Sequence, residues 1–531
     1  MLRSIPVTMV LLVYASPALS DSADWPSYNR TLTSERYVPL TQISTSNIGD
    51  LKIACTYDLK LDVAFQTGPI VIGRTMYATT EKDTVALDAA TCVQRWRVHE
   101  EVADSFLKVN RGIAYLKGSL FRGLQDGRVV AYDSKDGRKL WETTIADPRK
   151  GESVPAAPIA WGGLVFIGNA GGDNYGVKGR MYALDAATGK VVWETYMVPR
   201  EEDRQHPPAG MTQTAAKTWG NGAGFPINGG ATWTSYTLDP EAGLLYVPGG
   251  NPAPDFVASV RPGDNLYTNS VVVLDARTGA YRRHFSLVPK DFHDWDVSAA
   301  PTLVTTRASR RLMADTPKDG NLYGYDLGNG QRLYQTAITT RENASAPLTP
   351  EGTHFCPGTQ GGSEWNGPAY SQQTNQLYTG TVDWCATVKV ADPGKLANMA
   401  LGQPWSGSGD EKNLFGTSDP KENRAGWITA TDADSGTVRW RHKTPAPVLA
   451  AVTPTAGGLV FSADILGNAY AFDAADGKVL WQFKLDGAAS GGVISYAIDG
   501  KQHVAFVAGT NSPIWSVEKE SAKIVIFALQ K

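Results

Sequence analysis

Short runs in which apolar and polar residues alternate recur along the chain, and one of them repeats almost unchanged. It reads ALDAATCVQRW at 86–96, AYDSKDGRKLW at 131–141, ALDAATGKVVW at 183–193, ATDADSGTVRW at 430–440 and AFDAADGKVLW at 471–481. Two weaker copies are VLDARTGAYRR at 273–283 and GYDLGNGQRLY at 324–334. Alternation is the pattern of a half-buried strand. Each copy therefore predicts a hairpin: a strand ending in Asp, an Ala-x-Thr-Gly turn, and a second strand. In the five strong copies that second strand carries Trp eight residues after the Asp. Asp caps such a turn and Gly takes its positive-φ position. Two more apolar runs precede each copy, as in PIAWGG and LVFIGN before MYALD. Each repeat is then a four-stranded antiparallel unit of roughly 40–50 residues, the size of a propeller blade.

The repeat aspartates are Asp88, Asp133, Asp185, Asp275, Asp326, Asp432 and Asp473, separated by 45, 52, 90, 51, 106 and 41 residues. The two large gaps predict insertions, near 200–230 and 386–425, rather than lost units. Seven units are visible and both ends supply an eighth. GGVISYAI, HVAFVAG and KIVIFALQ are three strands at the C-terminus, and LKIACTYDL at 51–59 is the fourth. Pairing the termini in one sheet removes exposed edges. The fold class expected is all-β: one eight-bladed β-propeller over residues 21–531, its last blade closed by N- and C-terminal strands. The repeat tryptophans are expected to wedge between blades and take no part in chemistry.

Composition agrees with this picture. With 54 Gly and 31 Pro in 531 residues and only 19% charged residues, the chain is neither disordered nor mostly helical. A net charge of −3 gives no sign of a nucleic-acid partner. Residues 1–20 place Arg3, an apolar run over Val7–Tyr14 and the small-residue site Ala18-Leu19-Ser20 in the order of a secretory signal peptide, and that run is too short to span a bilayer. No later stretch is apolar enough to cross a membrane. An exported chain meets an oxidising compartment, which favours disulfides among Cys55, Cys92, Cys356 and Cys385. Three connectivities exist, and Cys55–Cys92 with Cys356–Cys385 closes the short loops. No CxxC occurs, so haem attachment of the CxxCH kind is not expected.

The D-A-x-T-G-x-x-x-W repeat on such a chain resembles the quinoprotein alcohol dehydrogenases, which use pyrroloquinoline quinone (PQQ) and a metal ion. Non-enzymatic propellers of the outer-membrane assembly type share the repeat, so the motifs between repeats are more specific. VNRGIAY at 109–115 is similar to the family's RGxAY segment and implies Arg111 on a PQQ carboxylate. GGDNYGVKGRMYALD at 171–185 resembles GxEyGVRG, where a Glu binds the metal; Asp173 or Asn174 takes that place here. GGATWTSYTLD at 229–239 implies Trp233 as the floor on which the quinone stacks. YVPGGNPAPDF at 246–256, with RPGDN at 261–265, resembles GNPAPW…RPGDN and implies Asn251 on the metal.

FHDWDVSAAP at 292–301 resembles HDxWD and implies Asp296 as catalytic base and metal ligand, with Asp294 the alternative base. Members that use lanthanides place a further Asp two positions on. Here that position is Ser298, which favours Ca²⁺ over a lanthanide. PKDGNLYGYD at 317–326 implies Lys318 on the cofactor, and HFCPGTQGGSEWNGPAY at 354–370 implies Asn366 there and supports Cys356–Cys385. The family's vicinal cysteines are replaced by Ser105-Phe106, so Phe106 or other residues must cover the cofactor.

The resemblance implies oxidation of an alcohol, with electrons leaving to a separate periplasmic acceptor such as a cytochrome c. Trp219, Phe225, Trp405 and Phe415 in the two insertions suit an apolar or bulky alcohol, or else simply pack. Two alternatives stay open: a scaffold propeller without cofactor, and an aldehyde or sugar dehydrogenase using PQQ.

Overall fold

The repeat hairpins form as the alternation predicts. A computed structural model describes residues 23–103, 108–201, 203 and 211–530; the leader at 1–20 and the Ser105-Phe106 pair lie outside the described residues. Among the described residues there are eight four-stranded antiparallel sheets and one three-stranded sheet. Among the described residues the one α-helix whose bounds are defined is the short Met211–Ala216. Among the described residues no helix is long and apolar enough to cross a membrane.

One sheet shows the common design. Ile70–Ile72, Thr75–Thr79, Asp83–Asp88 and Gln94–His99 pair in chain order. The third strand is buried along almost its whole length and the fourth is largely exposed. The alternating third strand is thus not half-buried as expected: its polar positions are buried along with its apolar ones, and the open positions lie on the last strand. Apolar faces of neighbouring sheets meet between them: Phe166, Met181 and Leu184 of one sheet cluster with Leu238, Leu245 and Val272 of the next.

The Asp-turn-Gly-Trp repeat is a docking device. Asp88 Oδ1 accepts the backbone N–H groups of Ala90 and Thr91 and the Thr91 hydroxyl, which closes the turn. Each indole N–H then donates to the turn of the following repeat: Trp96 to Ser134 O, Trp141 to Ala186 O, Trp193 to Ala276 O and Trp440 to Ala474 O. Tyr334, in the weak copy, reaches Ala433 O with its hydroxyl. The turn glycine is required twice over. Gly189 has φ +73, and any Cβ there would come within 2.5 Å of the Trp141 ring. Trp481 instead packs on Phe506 and Phe527 of the terminal sheet.

That terminal sheet joins both ends of the chain, in the order Leu51–Asp58, Lys523–Leu529, Lys501–Ala508, Ala489–Ile498. The Cys55–Cys92 disulfide ties its N-terminal strand to the first repeat turn, and Cys356–Cys385 is the second disulfide, as the short-loop argument expects. The 386–425 insertion adds Ala386–Val388 and Thr417–Ser418 to Thr353–Phe355, forming the three-stranded sheet.

Candidate active site

In an antiparallel meander, the entrance to the first strand and the connection between the second and third lie at the same end of the sheet. Every residue singled out by motif falls at one of these places. Arg111 precedes Ala114–Leu116, Trp233 precedes Thr237–Asp239, Asp294 and Asp296 precede Thr302–Thr305, and Asn366 precedes Ala369–Ser371. Asp173, Asn251 and Lys318 lie on connections between second and third strands. Topology alone thus collects residues from five sheets.

Four carboxylates meet there. Asp173, Asp255 and Asp294 each offer an oxygen, and the three oxygens lie within 4.8 Å of one another. Oxygens sharing one calcium-sized ion at about 2.3–2.6 Å are at most about 5 Å apart, so this group can hold such an ion. Asn251 links the cluster: its side chain lies beside Asp173 and donates to Asp255 Oδ1 (2.9 Å), and its backbone N–H donates to Asp296 Oδ1 (2.9 Å). The close approach of Asp296 needs Gly250, because a Cβ there would lie 2.7 Å from Asp296 Oδ1. Lys318 Nζ bridges Asp296 Oδ2 at 2.8 Å and Asp294 Oδ2 at 3.4 Å. Of the two candidates at 173–174, Asp173 is in the cluster, while the Asn174 amide is turned to Gly151 O.

A cationic aromatic platform adjoins the acids. The Arg111 guanidinium covers the Trp233 ring at 4.5 Å and lies 5.1 Å from the Trp365 ring, and Lys318 Nζ is 5.8 Å from the Trp233 centroid. Arg111 Nη1 donates to Trp233 O, and its Nε is buried without a hydrogen-bond partner among the described residues. A flat indole beside two buried cations is suited to a planar polyanion. Asn366 is engaged otherwise: its Oδ1 accepts from Tyr28 and Arg36, and its Nδ2 donates to Leu449 O.

Sequence reasoning missed two acids. Asp255 sits where the motif has Trp, and that departure was the available signal. Glu364 lies in the 354–370 segment, buried among Lys318, Asp296 and Arg111. No motif names it. Of the insertion aromatics, Phe225 and Phe415 are half-buried, and the two tryptophans pack rather than rim a mouth. Trp219 and Trp405 are buried, with indole N–H groups bonded to Leu266 O and Leu396 O. The backbone N–H of Trp405 donates to Asp173 O, so this insertion braces the Asp173 loop.

Burial governs the charges. It pushes Asp173 up from 3.8 to about 6, with Asp296 adding to the shift, and Glu364 up from 4.5 to about 7, again with Asp296 adding. Asp255 and Asp294 are raised in the same way, by burial first and then by neighbouring carboxylates. Burial opposes the Lys318 ammonium, but Asp294 and Asp296 outweigh it and raise its pKa. A carboxyl raised in the folded state binds more protons folded than unfolded, so stability falls as pH rises between the two values. The ion-free protein should therefore lose stability between pH 3.8 and about 6 through Asp173, and between 4.5 and about 7 through Glu364. An added cation should restore it. Thermal unfolding across this range, with and without the cation, checks both signs.

Comparison with known proteins identifies the family. Residues 25–345 match the family described as glucose/ethanol/alcohol dehydrogenase, beta-propeller domain, and residues 424–527 match that of outer membrane protein assembly factor BamB. The chain is 30% identical to quinohemoprotein alcohol dehydrogenase ADH-IIG of Pseudomonas putida, over 96% of this chain and 78% of that one. It is 32% identical to the dehydrogenase subunit of the quinone alcohol dehydrogenase of Acetobacter aceti, over 92% and 71%. The solved structure of ADHIIG from Pseudomonas putida HK5 superposes with a TM-score of 0.84, covering 96% of this chain and 80% of that one at 27% identity. A europium-containing methanol dehydrogenase gives a TM-score of 0.82, covering 95% and 98% at 26% identity. A family match over more than half of the chain, and relatives aligned along nearly all of it, place this propeller among the PQQ-dependent alcohol dehydrogenases, the quinoprotein oxidoreductases.

Proposed function

We propose that the chain oxidises an apolar alcohol to an aldehyde or ketone in the periplasm and passes electrons to a separate carrier such as a cytochrome c. We infer that its eight four-stranded sheets are the eight blades of one ring, that residues 21–531 act as one domain, and that residues 1–20 export it. The observation that carries this reading is the convergence of buried acids and Lys318 beside the Trp233 platform. A scaffold propeller has no use for carboxylates buried so close together, whose mutual repulsion is destabilising.

The residues fit both absent groups. Trp233, Arg111 and Lys318 would hold PQQ, Arg111 through its unpartnered Nε–H. Asp173, Asn251 and Asp294 would hold the cation, with Asp296 at its margin. When bound, PQQ supplies a hydride-accepting quinone carbonyl that a cation can polarise. Asp296 takes the substrate hydroxyl proton. Its carboxylate is oriented by the Asn251 N–H and by Lys318, one on each oxygen. Asp294 is the poorer base, because its oxygen belongs to the cation group. Glu364, raised to about 7 by burial, lies near enough to Asp296 and Lys318 for their charges to act on it.

An apolar cleft lined by Phe256, Val257, Phe292, Leu348 and Val390 borders the loops that carry Asp255 and Asp294 and supports an apolar substrate. Calcium is the ion favoured by Ser298, while the europium-containing relative carries a lanthanide on the same fold. The test is dye reduction by the chain loaded with PQQ and Ca²⁺ or a lanthanide, over a panel of alcohols, aldehydes and sugars. Alcohol-dependent turnover is expected; turnover with aldehydes or sugars alone would contradict the assignment.

A further inference from the structure

Asp255 is fully buried. One of its oxygens accepts from Asn251 Nδ2, and Oδ2 has no hydrogen-bond partner among the described residues. A buried carboxylate needs a counter-charge. Among the described residues no cation hydrogen-bonds this carboxylate, although Arg261 acts on it electrostatically. Lys318 bridges Asp294 and Asp296. Arg261 spends its guanidinium on Pro254 O, Asp255 O, Asp291 O and Asn265 Oδ1. That clamp holds the backbone of Asp255 against the Asp291–Asp296 loop. Its carboxylate is left facing Asp173 and Asp294, with which it shares the group of oxygens within 4.8 Å.

We propose that Asp255 is a ligand of the bound cation, and that the negative charge it adds turns the site's preference from divalent toward trivalent ions. This deepens, and rests on, the reading of the site as a PQQ and cation centre. Four carboxylates, those of Asp173, Asp255, Asp294 and Asp296, face the Lys318 ammonium, and the Arg261 guanidinium that also acts on Asp255 is balanced by the Asp291 carboxylate. The three negative charges left over match a trivalent ion, and a divalent ion leaves one uncompensated. Position 298 plays no part, because the Ser298 hydroxyl donates to Ser363 O at 2.7 Å. Ser298 by itself favours calcium, whereas Asp255 places a carboxylate where the family motif has an uncharged Trp.

The probes are terbium and calcium, added to the ion-free full chain, with terbium luminescence sensitised by the nearby tryptophans. The wild-type chain is expected to hold one terbium more tightly than calcium. Asp255→Asn should weaken terbium about 10- to 100-fold and calcium much less, and lifetimes in H₂O and D₂O should show about one extra bound water. Asp255→Glu, which keeps the charge, should retain the terbium preference and covers the case in which Asp255→Asn does not fold. Equal weakening of both ions, an unchanged water count, or loss of the preference in Asp255→Glu overturns the proposal while the site reading stands. No terbium uptake by the wild-type chain, or uptake unaffected by Asp173→Asn, overturns both.

Discussion

Asp296→Asn is expected to lower kcat by roughly 10²- to 10⁴-fold, the range that a positioned general base contributes. The substitution keeps the shape of the side chain. The amide oxygen can still accept from Asn251 N–H, and Lys318 keeps Asp294 as its partner. The fold and the platform over Trp233 should therefore survive, with an unfolding temperature close to that of the wild type in the presence of the cation. What is lost is the lone pair that takes the hydroxyl proton. Activity within a few-fold of wild type would move the base to Asp294, and the equivalent Asp294→Asn variant would then carry the large defect.

Lys318→Met should destabilise the ion-free protein by about 3–5 kcal/mol near pH 8, the cost of breaking a buried ion pair from one side. The ammonium is almost fully buried and lies 2.8 Å from one carboxylate and 3.4 Å from another. Its removal leaves Asp294 and Asp296 facing each other with no counter-charge. A cation bound by the neighbouring acids supplies that charge, so most of the loss should be recovered when the ion is added. Lys318→Arg keeps the charge and should lose much less. Denaturant unfolding with and without the ion separates these effects. An equal loss in both conditions would mean that Lys318 packs the loop and does not balance the acids.

Much of this architecture was legible because its causes are local. A strand that alternates, an Asp that caps a turn and a Gly that admits an indole all sit within eleven residues, and the next repeat supplies the carbonyl that the indole needs. The pairing of Leu51–Asp58 with Lys523–Leu529 was legible for a different reason: three strands at one end required a fourth. The acids at 173, 294 and 296 and the platform at 111, 233 and 318 were legible through motifs, because loop residues at one end of a propeller converge whatever their separation in sequence. Asp255 and Glu364 were not. Each gains its significance from burial among residues of other sheets, and a single acid in a Pro-rich turn or beside a Trp carries no trace of that. Asn366 shows the converse. Its motif was sound, but Tyr28, Arg36 and Leu449, which occupy its amide, come from distant parts of the chain. The insertion aromatics were ambiguous for the same reason, since an indole at a pocket mouth and one that braces the Asp173 loop look alike in sequence.

The most direct measurement is equilibrium binding of PQQ to the purified chain, with and without a cation, followed by quenching of tryptophan fluorescence. The account predicts one PQQ per chain, tight only when the cation is present, and weakened by both Trp233→Ala and Asp173→Asn. Binding that ignores the cation and both substitutions, or no binding at all, would contradict it.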